Sequence, residues 1–209
     1  MNQTRDEIRQ LVKAIRDLNN NQPSMPSIFP DYEAPIVRMD KGERIVASAR
    51  WGLPSPAFAL KGRNSDSGIT NVRNTASAHW KRWLGPANRC LVPFTSFAEP
   101  ETLPDGKKTN AWFAFTESRP VSFFAGVWLP HWKSVRKVKE GETTNDLYAF
   151  LTTEANKEVG AIHPKAMPVI LTKPEDWETW LTADWAEAVK LQRPMPDGTL
   201  RVAARGKSD

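Results

Sequence analysis

Thiols and imidazoles are scarce in this chain. Its 209 residues contain one cysteine, Cys90, and three histidines. A single thiol excludes an internal disulfide framework and a zinc site built from several thiolates, and it fits a reducing cytoplasm. Because no group of His, Cys, Asp and Glu has the spacing of metal ligands, neither a metal nor another cofactor is expected. Chemistry that needs a thiolate would have to use Cys90 or a cysteine outside this sequence.

Long apolar runs are also absent. The chain has no stretch of about 18 apolar residues, and Met1 is followed by polar residues rather than by the apolar segment of a signal peptide. The signatures of α/β-hydrolases, P-loop enzymes, dinucleotide-binding domains and HExxH metalloproteases are missing. The sequence therefore predicts an intracellular protein without a membrane segment, and it leaves the reaction class open.

Charge and aromatic content point to a polyanionic partner. The net charge is +5, and nine tryptophans are present. Several stand beside basic residues, as in Arg50-Trp51 and in residues 79–83, His-Trp-Lys-Arg-Trp. Exposed aromatic rings next to cations suit single-stranded nucleic acid, whose bases stack and whose phosphates pair. Any single tryptophan is nevertheless more often a packing residue.

Short apolar runs rich in β-branched and aromatic residues dominate the chain and favour strands. They cover residues 34–37, 44–49, 89–94, 111–115, 121–128, 146–152 and 167–171. A capping box at Thr4 and Glu7, followed by apolar residues at helical spacing, predicts a helix over residues 5–18. Further helices are predicted at 77–83, 154–159, 174–181 and 184–191, and surface excursions at 61–71 and 133–145.

This order of elements predicts an α+β fold. We expect a β-rich mixed sheet that curls into a barrel and has helices at its periphery. The length fits a single domain, assigned to residues 1–191. Residues 192–209 are expected to form a basic C-terminal tail.

Polar residues stand where predicted strands and loops meet. His163 precedes a strand and suits proton transfer near neutral pH, although a single loop histidine usually has a structural role. Glu99 follows an apolar strand, a position common to binding sites and to solvated rims. Residues 71–75 combine amides with the guanidinium of Arg73, which suits phosphate but is equally compatible with a simple turn.

Five motifs occur in the order found in one known family. They are residues 49–54 (ARWGLP), 71–75 (NVRNT), 89–99 (RCLVPFTSFAE), 125–128 (AGVW) and 162–171 (IHPKAMPVIL). Over about residues 30–182 the chain thus resembles the SRAP family, the SOS-response-associated peptidase-like or abasic-site processing proteins. The resemblance implies the SRAP fold, a channel for single-stranded DNA and covalent capture of abasic sites. It also implies a cytoplasmic protein, nucleoid-associated when bound to DNA, and a monomer is expected.

The resemblance assigns roles to particular residues. Asn71 would position the nucleophile and the sugar, Glu99 would assist proton transfer during ring opening and imine formation, and His163 would act as acid and base at the sugar hydroxyl. DNA contacts would come from the residues that match the family's binding motifs: Arg50, Trp51, Arg73 and Asn74. In the family the nucleophile is a cysteine directly after the initiator methionine, whose amine and thiolate close a thiazolidine on the abasic sugar.

This chain departs from the family at the nucleophile. Position 2 is Asn2, so the natural protein is expected to begin upstream with Met-Cys, and the chain as it stands is expected to bind DNA but to be impaired in cross-linking. Two alternatives stay open. One is a non-covalent relative that binds single-stranded DNA without a nucleophile. The other is a peptidase that pairs Cys90 with His163, although the apolar neighbours of Cys90 favour a buried thiol.

Overall fold

The computed structural model describes residues 5–18, 25 and 27–206. Its strands are β1 (Arg16–Asp17), β2 (Glu33–Asp40), β3 (Glu43–Trp51), β4 (Asn71–Val72), β5 (Arg89–Phe94), β6 (Phe97–Thr102), β7 (Lys108–Ala114), β8 (Ser122–Val135), β9 (Glu142–Thr153), β10 (Met167–Pro168), β11 (Ile170–Leu171) and β12 (Arg201–Arg205). Its helices are α1 (Arg5–Leu11), α2 (Ala57–Leu60), α3 (Ala78–Lys81), α4 (Lys157–Gly160), α5 (Pro174–Thr182) and α6 (Trp185–Ala188). None of these helices is long and apolar enough to cross a membrane.

Five strands close into a barrel. Strand β3 pairs with β2, β2 with β5, β5 with β8 and β8 with β9, all antiparallel. Strand β9 then returns to β3 in parallel, through Arg50 opposite Leu147 and Trp51 opposite Tyr148. The predicted α+β fold with a barrel-like sheet is therefore confirmed. Every predicted strand run overlaps a strand, because continuous runs of β-branched and aromatic residues suit a wall that is buried on both faces.

The first predicted helix is too long. It ends at Leu11, the backbone reverses at Lys13 with a φ of 53°, and β1 then pairs in parallel with β3. The apolar residues Ile15 and Leu18, which matched a helical period, are half exposed after the helix has ended. Thr4, half of the predicted capping box, lies outside the described residues.

Two segments that looked like surface extensions form strands. The charged stretch 133–145 makes the outer half of the β8–β9 hairpin, where Lys133 lies opposite Thr144. Residues 201–205, expected in a basic tail, form β12 and pair with β7 in a sheet of order β12-β7-β6. Both were missed because charged side chains on exposed strands look like loop sequence, while backbone pairing with a distant strand leaves no local pattern.

Alternation along the barrel strands produces two apolar clusters. In β3, Val46 belongs to the cluster packed by α1, α3, α5 and α6, whereas its neighbour Ala47 belongs to the other. This second cluster joins the barrel to the three-stranded sheet through Phe113 of β7, and to α4 through Val159. The two sheets thus meet over one aromatic-rich surface, which borders the candidate site.

Candidate active site

A cavity of about 490 Å³ opens between the barrel and the β12-β7-β6 sheet. Its wall is aromatic: the rings of Phe94 and Phe124 stack 3.9 Å apart, and Phe150 lies 4.7 Å from Phe124. All three residues predicted to be catalytic, Asn71, Glu99 and His163, line it, and so does Trp51. These residues come from separate parts of the chain, and the barrel brings them to one place.

Glu99 is a carboxyl residue in the lining of this cavity, and its pKa is shifted. It projects from β6, opposite Ala111 of β7, with its side chain 17% exposed. Burial raises the pKa of Glu99 to about 7. Glu101, two residues along the same strand, accepts a hydrogen bond at 2.7 Å from Arg205 instead, which lowers its pKa. One strand therefore holds one carboxyl group suited to proton transfer at neutral pH and one suited only to an ion pair.

His163 is held in front of Glu99 by a short capped helix. Asn156 caps α4 by accepting a hydrogen bond at 3.1 Å from the amide of Val159, and the carbonyl of Val159 accepts one at 2.7 Å from the amide of His163. His163 Nδ1 then lies 3.6 Å from Glu99 Oε2. This distance is longer than a direct hydrogen bond, so a reacting oxygen has room to approach both groups.

Asn71 and Trp51 lie side by side along β9. Trp51, at the end of β3, is opposite Tyr148, and Asn71, in β4, is opposite Phe150. The Trp51 indole donates a hydrogen bond at 3.0 Å to the carbonyl of Thr70, which fixes the ring next to Asn71. The Asn71 residue is exposed, so its amide is accessible at the cavity mouth.

Arg50, Arg73 and Asn74 do not belong to the described lining of the cavity. Arg73 Nη1 donates hydrogen bonds to the carbonyls of Thr153 at 2.7 Å and Lys165 at 2.9 Å, so it ties the segment that carries His163 to β9. Asn74 accepts a hydrogen bond at 3.2 Å from the amide of Ala76, as in a turn. Both residues are exposed, and their contact with DNA stays a prediction.

Arg50 points to the other side of β3 from Trp51 and forms an ion pair with Asp31 at 2.7 Å. Partial burial alone would raise the pKa of Asp31, but hydrogen bonds from Arg50, Lys137 and Arg136 lower it to about 2. A phosphate at Arg50 would therefore have to share this guanidinium with a firmly ionised carboxylate. Its predicted role in binding DNA is not tested by this geometry.

Cys90 is a core residue. It is fully buried, and burial raises the pKa of its thiol. Its sulfur fills the space beside Gly126, where an added Cβ would lie 2.6 Å from Sγ. The Trp180 indole donates to the carbonyls of Cys90 and Gly126, each at 3.0 Å. Because Cys90 is not among the described cavity residues, the geometry gives no support to a Cys90–His163 dyad.

Sequence reasoning missed an exposed aromatic pair of which one ring lies at the cavity and the other packs against it. Phe29 is 46% exposed and Tyr32 is 49% exposed, and their rings meet edge to face at 5.5 Å. Phe29 lines the cavity. The signal was present as aromatic residues in a proline-rich loop, a location where packing does not require them. Within the described residues, no group of three or more His, Cys, Asp or Glu side chains could hold a metal ion.

Comparison with known proteins agrees with this architecture. A protein from Bacteroides thetaiotaomicron of solved structure superposes with a TM-score of 0.71 at 20% sequence identity, over 96% of this chain and 88% of its own. A phage-related protein from Bordetella bronchiseptica superposes with a TM-score of 0.60 at 20% identity, over 87% of this chain and 84% of its own. At this identity the likeness concerns the fold alone. The family model described as SOS response associated peptidase (SRAP) matches residues 1–205, and the chain therefore belongs to the SRAP family.

Proposed function

We propose that this SRAP protein binds single-stranded DNA at abasic sites and places the ring-opened sugar in the cavity of Glu99 and His163. The observation that carries the proposal is the pairing of a buried carboxyl group, whose pKa is about 7, with an imidazole nitrogen 3.6 Å away. Such a pair can give and take protons at neutral pH. Membership of the SRAP family associates the protein with DNA damage, and we propose a monomer acting in the cytoplasm on the DNA itself.

The reaction that suits this pair is capture of an aldehyde by an amine. The amine nitrogen bonds to the aldehyde carbon, and protonated Glu99 donates a proton to the departing hydroxyl, so that water leaves and an imine remains. His163 moves the proton of the sugar hydroxyl during ring opening. An N-terminal cysteine would then add its sulfur to the imine carbon while the nitrogen takes up the thiol proton, which closes a thiazolidine. Cys90 is buried and cannot supply the thiolate, so without an N-terminal cysteine we expect only binding and a reversible imine formed by a free α-amine.

The DNA strand would cross the cavity mouth. The exposed rings of Phe29 and Tyr32 are available to bases, and the exposed Arg73 and Asn74 are available to phosphates on the side of Asn71. With the excess positive charge of +5, this arrangement supports single-stranded DNA rather than a peptide as the partner.

A denaturing gel tests the proposal. The chain, and a form extended by its natural upstream codons, are incubated with single-stranded DNA that contains one abasic site, with and without cyanoborohydride to trap an imine. The extended form is expected to give a stable covalent band without reductant, and the chain as it stands to give one only with reductant. Glu99→Gln should slow formation of the covalent band at least about tenfold, because a general acid or base usually contributes more than that to the reaction rate. Glu101→Gln, on the same strand but outside the cavity, is the matched control.

A different result would favour the non-covalent binder. If neither form gives a band, and if affinity falls steeply with salt but is equal for abasic and intact DNA, capture is wrong and simple strand binding remains. If neither DNA binds at all, the proposed function fails as a whole. The sealed position of Cys90 is the observation that keeps this second function in view.

A further inference from the structure

One buried arginine contacts three segments that border the cavity. Arg136 follows the end of β8, and its side chain is 1% exposed. Its Nε donates to Asp31 Oδ1 at 3.1 Å, its Nη1 to the carbonyl of Gly52 at 3.0 Å and its Nη2 to the carbonyl of Ser67 at 3.0 Å. The planar guanidinium thus fixes three separate stretches of chain in one geometry, which a single ammonium group cannot copy.

Each of these stretches carries cavity residues next to its contact with Arg136. Pro30 precedes Asp31, Trp51 precedes Gly52, and Asn71 lies a few residues after Ser67. The stretches are also bonded to one another. The amide of Asp31 donates to the carbonyl of Trp51 at 2.8 Å. Leu53 and Ile69 form a bridge between the second and third stretches. Movement of Arg136 would therefore shift the aromatic and amide groups at the cavity mouth together.

Two glycines make room for the guanidinium. Gly52 has a φ of +138° and Gly68 a φ of +83°, which disfavour residues with a Cβ. A Cβ on Gly52 would lie 2.3 Å from Arg136 Nη2, and one on Gly68 would lie 2.5 Å from Nη1. The close approach of the backbone to the arginine, rather than the turn alone, thus requires glycine at both positions.

We infer that Arg136 is the positioning residue of the DNA site: it sets Trp51, Asn71 and the Phe29–Pro30 segment in the relative positions that an abasic strand requires. This inference rests on the proposed function. Arg136 is not a lining residue of the cavity, so it acts through the residues that it holds.

The first experiment compares two buried arginines. Arg136→Lys keeps the charge and loses the fork. Arg89→Lys is its matched control, because Arg89 is fully buried but donates to the carbonyl of Ala183 at the end of α5, away from the cavity lining. Affinity for abasic single-stranded DNA should fall about tenfold in Arg136→Lys, because one or two hydrogen bonds from a charged group are worth about that much. In Arg89→Lys the affinity should fall by less than about twofold. Thermal unfolding reports the stability lost in each.

The second experiment compares two glycines of one loop. Gly68→Ala pushes a methyl group against the guanidinium of Arg136 and, at 2.9 Å, against the Cα of Gly52, which Arg136 also holds; at Gly62, with a φ of +76°, nothing lies within 4 Å of an added Cβ. Both substitutions impose a similar backbone strain, but only Gly68→Ala also displaces the guanidinium. Gly62→Ala therefore shows the effect of strain alone. Gly68→Ala alone should weaken DNA binding. Hydrogen exchange by mass spectrometry should show faster exchange at 27–32, 51–54 and 67–72 in Arg136→Lys and Gly68→Ala, but not in the controls.

The outcomes divide cleanly. If Arg136→Lys and Arg89→Lys lose DNA affinity to the same extent, or if Gly68→Ala and Gly62→Ala do, Arg136 has a general structural role and the inference is overturned. If the protein with Arg136 intact does not bind single-stranded DNA, the proposed function fails, and exchange alone decides the inference. Faster exchange in the three segments together then supports it, and unchanged exchange refutes it.

Discussion

At the scale of single residues, two glutamates on one strand show how environment decides chemistry. Glu99 and Glu101 have the same orientation on β6, but Glu99 faces a cavity without a paired arginine, whereas Glu101 meets Arg205. Burial therefore raises the pKa of Glu99, and the ion pair lowers that of Glu101. The residue type was readable from the sequence, but the difference in function comes from neighbours that are distant in the chain.

This difference predicts the pH dependence of stability. The pKa of Glu99 is raised from 4.5 to about 7, so the folded state holds its proton more tightly than the unfolded state. Its contribution to stability is complete below pH 4.5 and is lost as the pH rises to 7. Glu99→Gln, which stays neutral, should therefore gain about 2–3 kcal/mol in free energy of unfolding relative to the natural protein over this interval.

Urea unfolding at several pH values measures this gain. Glu101→Gln is the control: because the pKa of Glu101 is lowered from 4.5, its contribution to stability is constant above that pH and is lost only as the pH falls below it. Parallel stability curves for the natural protein and Glu99→Gln between pH 4.5 and 7.5 would show that Glu99 titrates as an ordinary carboxyl group.

At the scale of elements, strand pairing explains the single cysteine. Cys90 of β5 lies opposite Gly126 of β8, and the missing side chain of the glycine admits the sulfur. The pair also shares the Trp180 indole of α5 through its two carbonyls. Cys90 thus belongs to the contact between the barrel and its helix, and its reactivity has no part in the proposed reaction.

Substitutions at this contact should be coupled. An alanine at position 126 would place its Cβ 2.6 Å from Cys90 Sγ and 2.8 Å from Val92 Cγ2. Gly126→Ala should cost about 1–3 kcal/mol through overpacking, and Cys90→Ala about 1 kcal/mol through a small cavity. The double variant should recover more than about 0.5 kcal/mol of the summed loss, since the clash with sulfur is gone. DNA binding should be unchanged by Cys90→Ala.

Denaturant unfolding of the four proteins gives the coupling. Gly160→Ala is the control, because the nearest atom to its added Cβ is at an ordinary 3.6 Å. If the double variant loses the sum of the two single losses in free energy of unfolding, the barrel relaxes around position 126 without involving Cys90.

At the scale of the whole molecule, the three-stranded sheet depends on the far end of the chain. Strand β12 pairs with β7, Leu200 beside it is 4% exposed, and the Trp112 indole donates at 3.1 Å to the carbonyl of Gly206. Strand β7 in turn pairs with β6, which carries Glu99. The last described residues therefore support the sheet that forms one side of the cavity.

Removal of β12 should destabilise the sheet beside the cavity, unlike removal of an unstructured tail. A chain ending at Gln192 loses β12 and Leu200, and its melting temperature is expected to fall by about 10 °C, from the loss of a few kcal/mol of apolar burial. A chain ending at Gly206 keeps β12 and is the reference. Equal melting of the two forms would show that β12 contributes nothing to stability.

Much of the fold was predictable from sequence because secondary structure leaves local patterns. Short apolar runs located the barrel strands, and the predicted helix at 174–181 matches α5 closely, whereas the one at 184–191 divides into α6 and a 3-10 turn over Val189–Leu191. Several misses come from pairing that leaves no local pattern. Strands β4 and β12 are short and take their hydrogen bonds from partners far away in the chain, so nothing in their own sequence distinguishes them from loops, and β1 lies in a stretch whose apolar spacing matched a helix.

The same division holds for the site. The sequence by itself determined the fold class, the family, the chemical groups Asn71, Glu99 and His163, and the lack of a second thiol, because these depend on residue identity and local order. Only the tertiary structure decided that Glu99 is desolvated beside His163, that Arg50 is held by Asp31 and that Cys90 is sealed. The burial and ion pairing of a side chain depend on its neighbours in the closed barrel. Those neighbours are fixed by the register between strands that are distant in the chain.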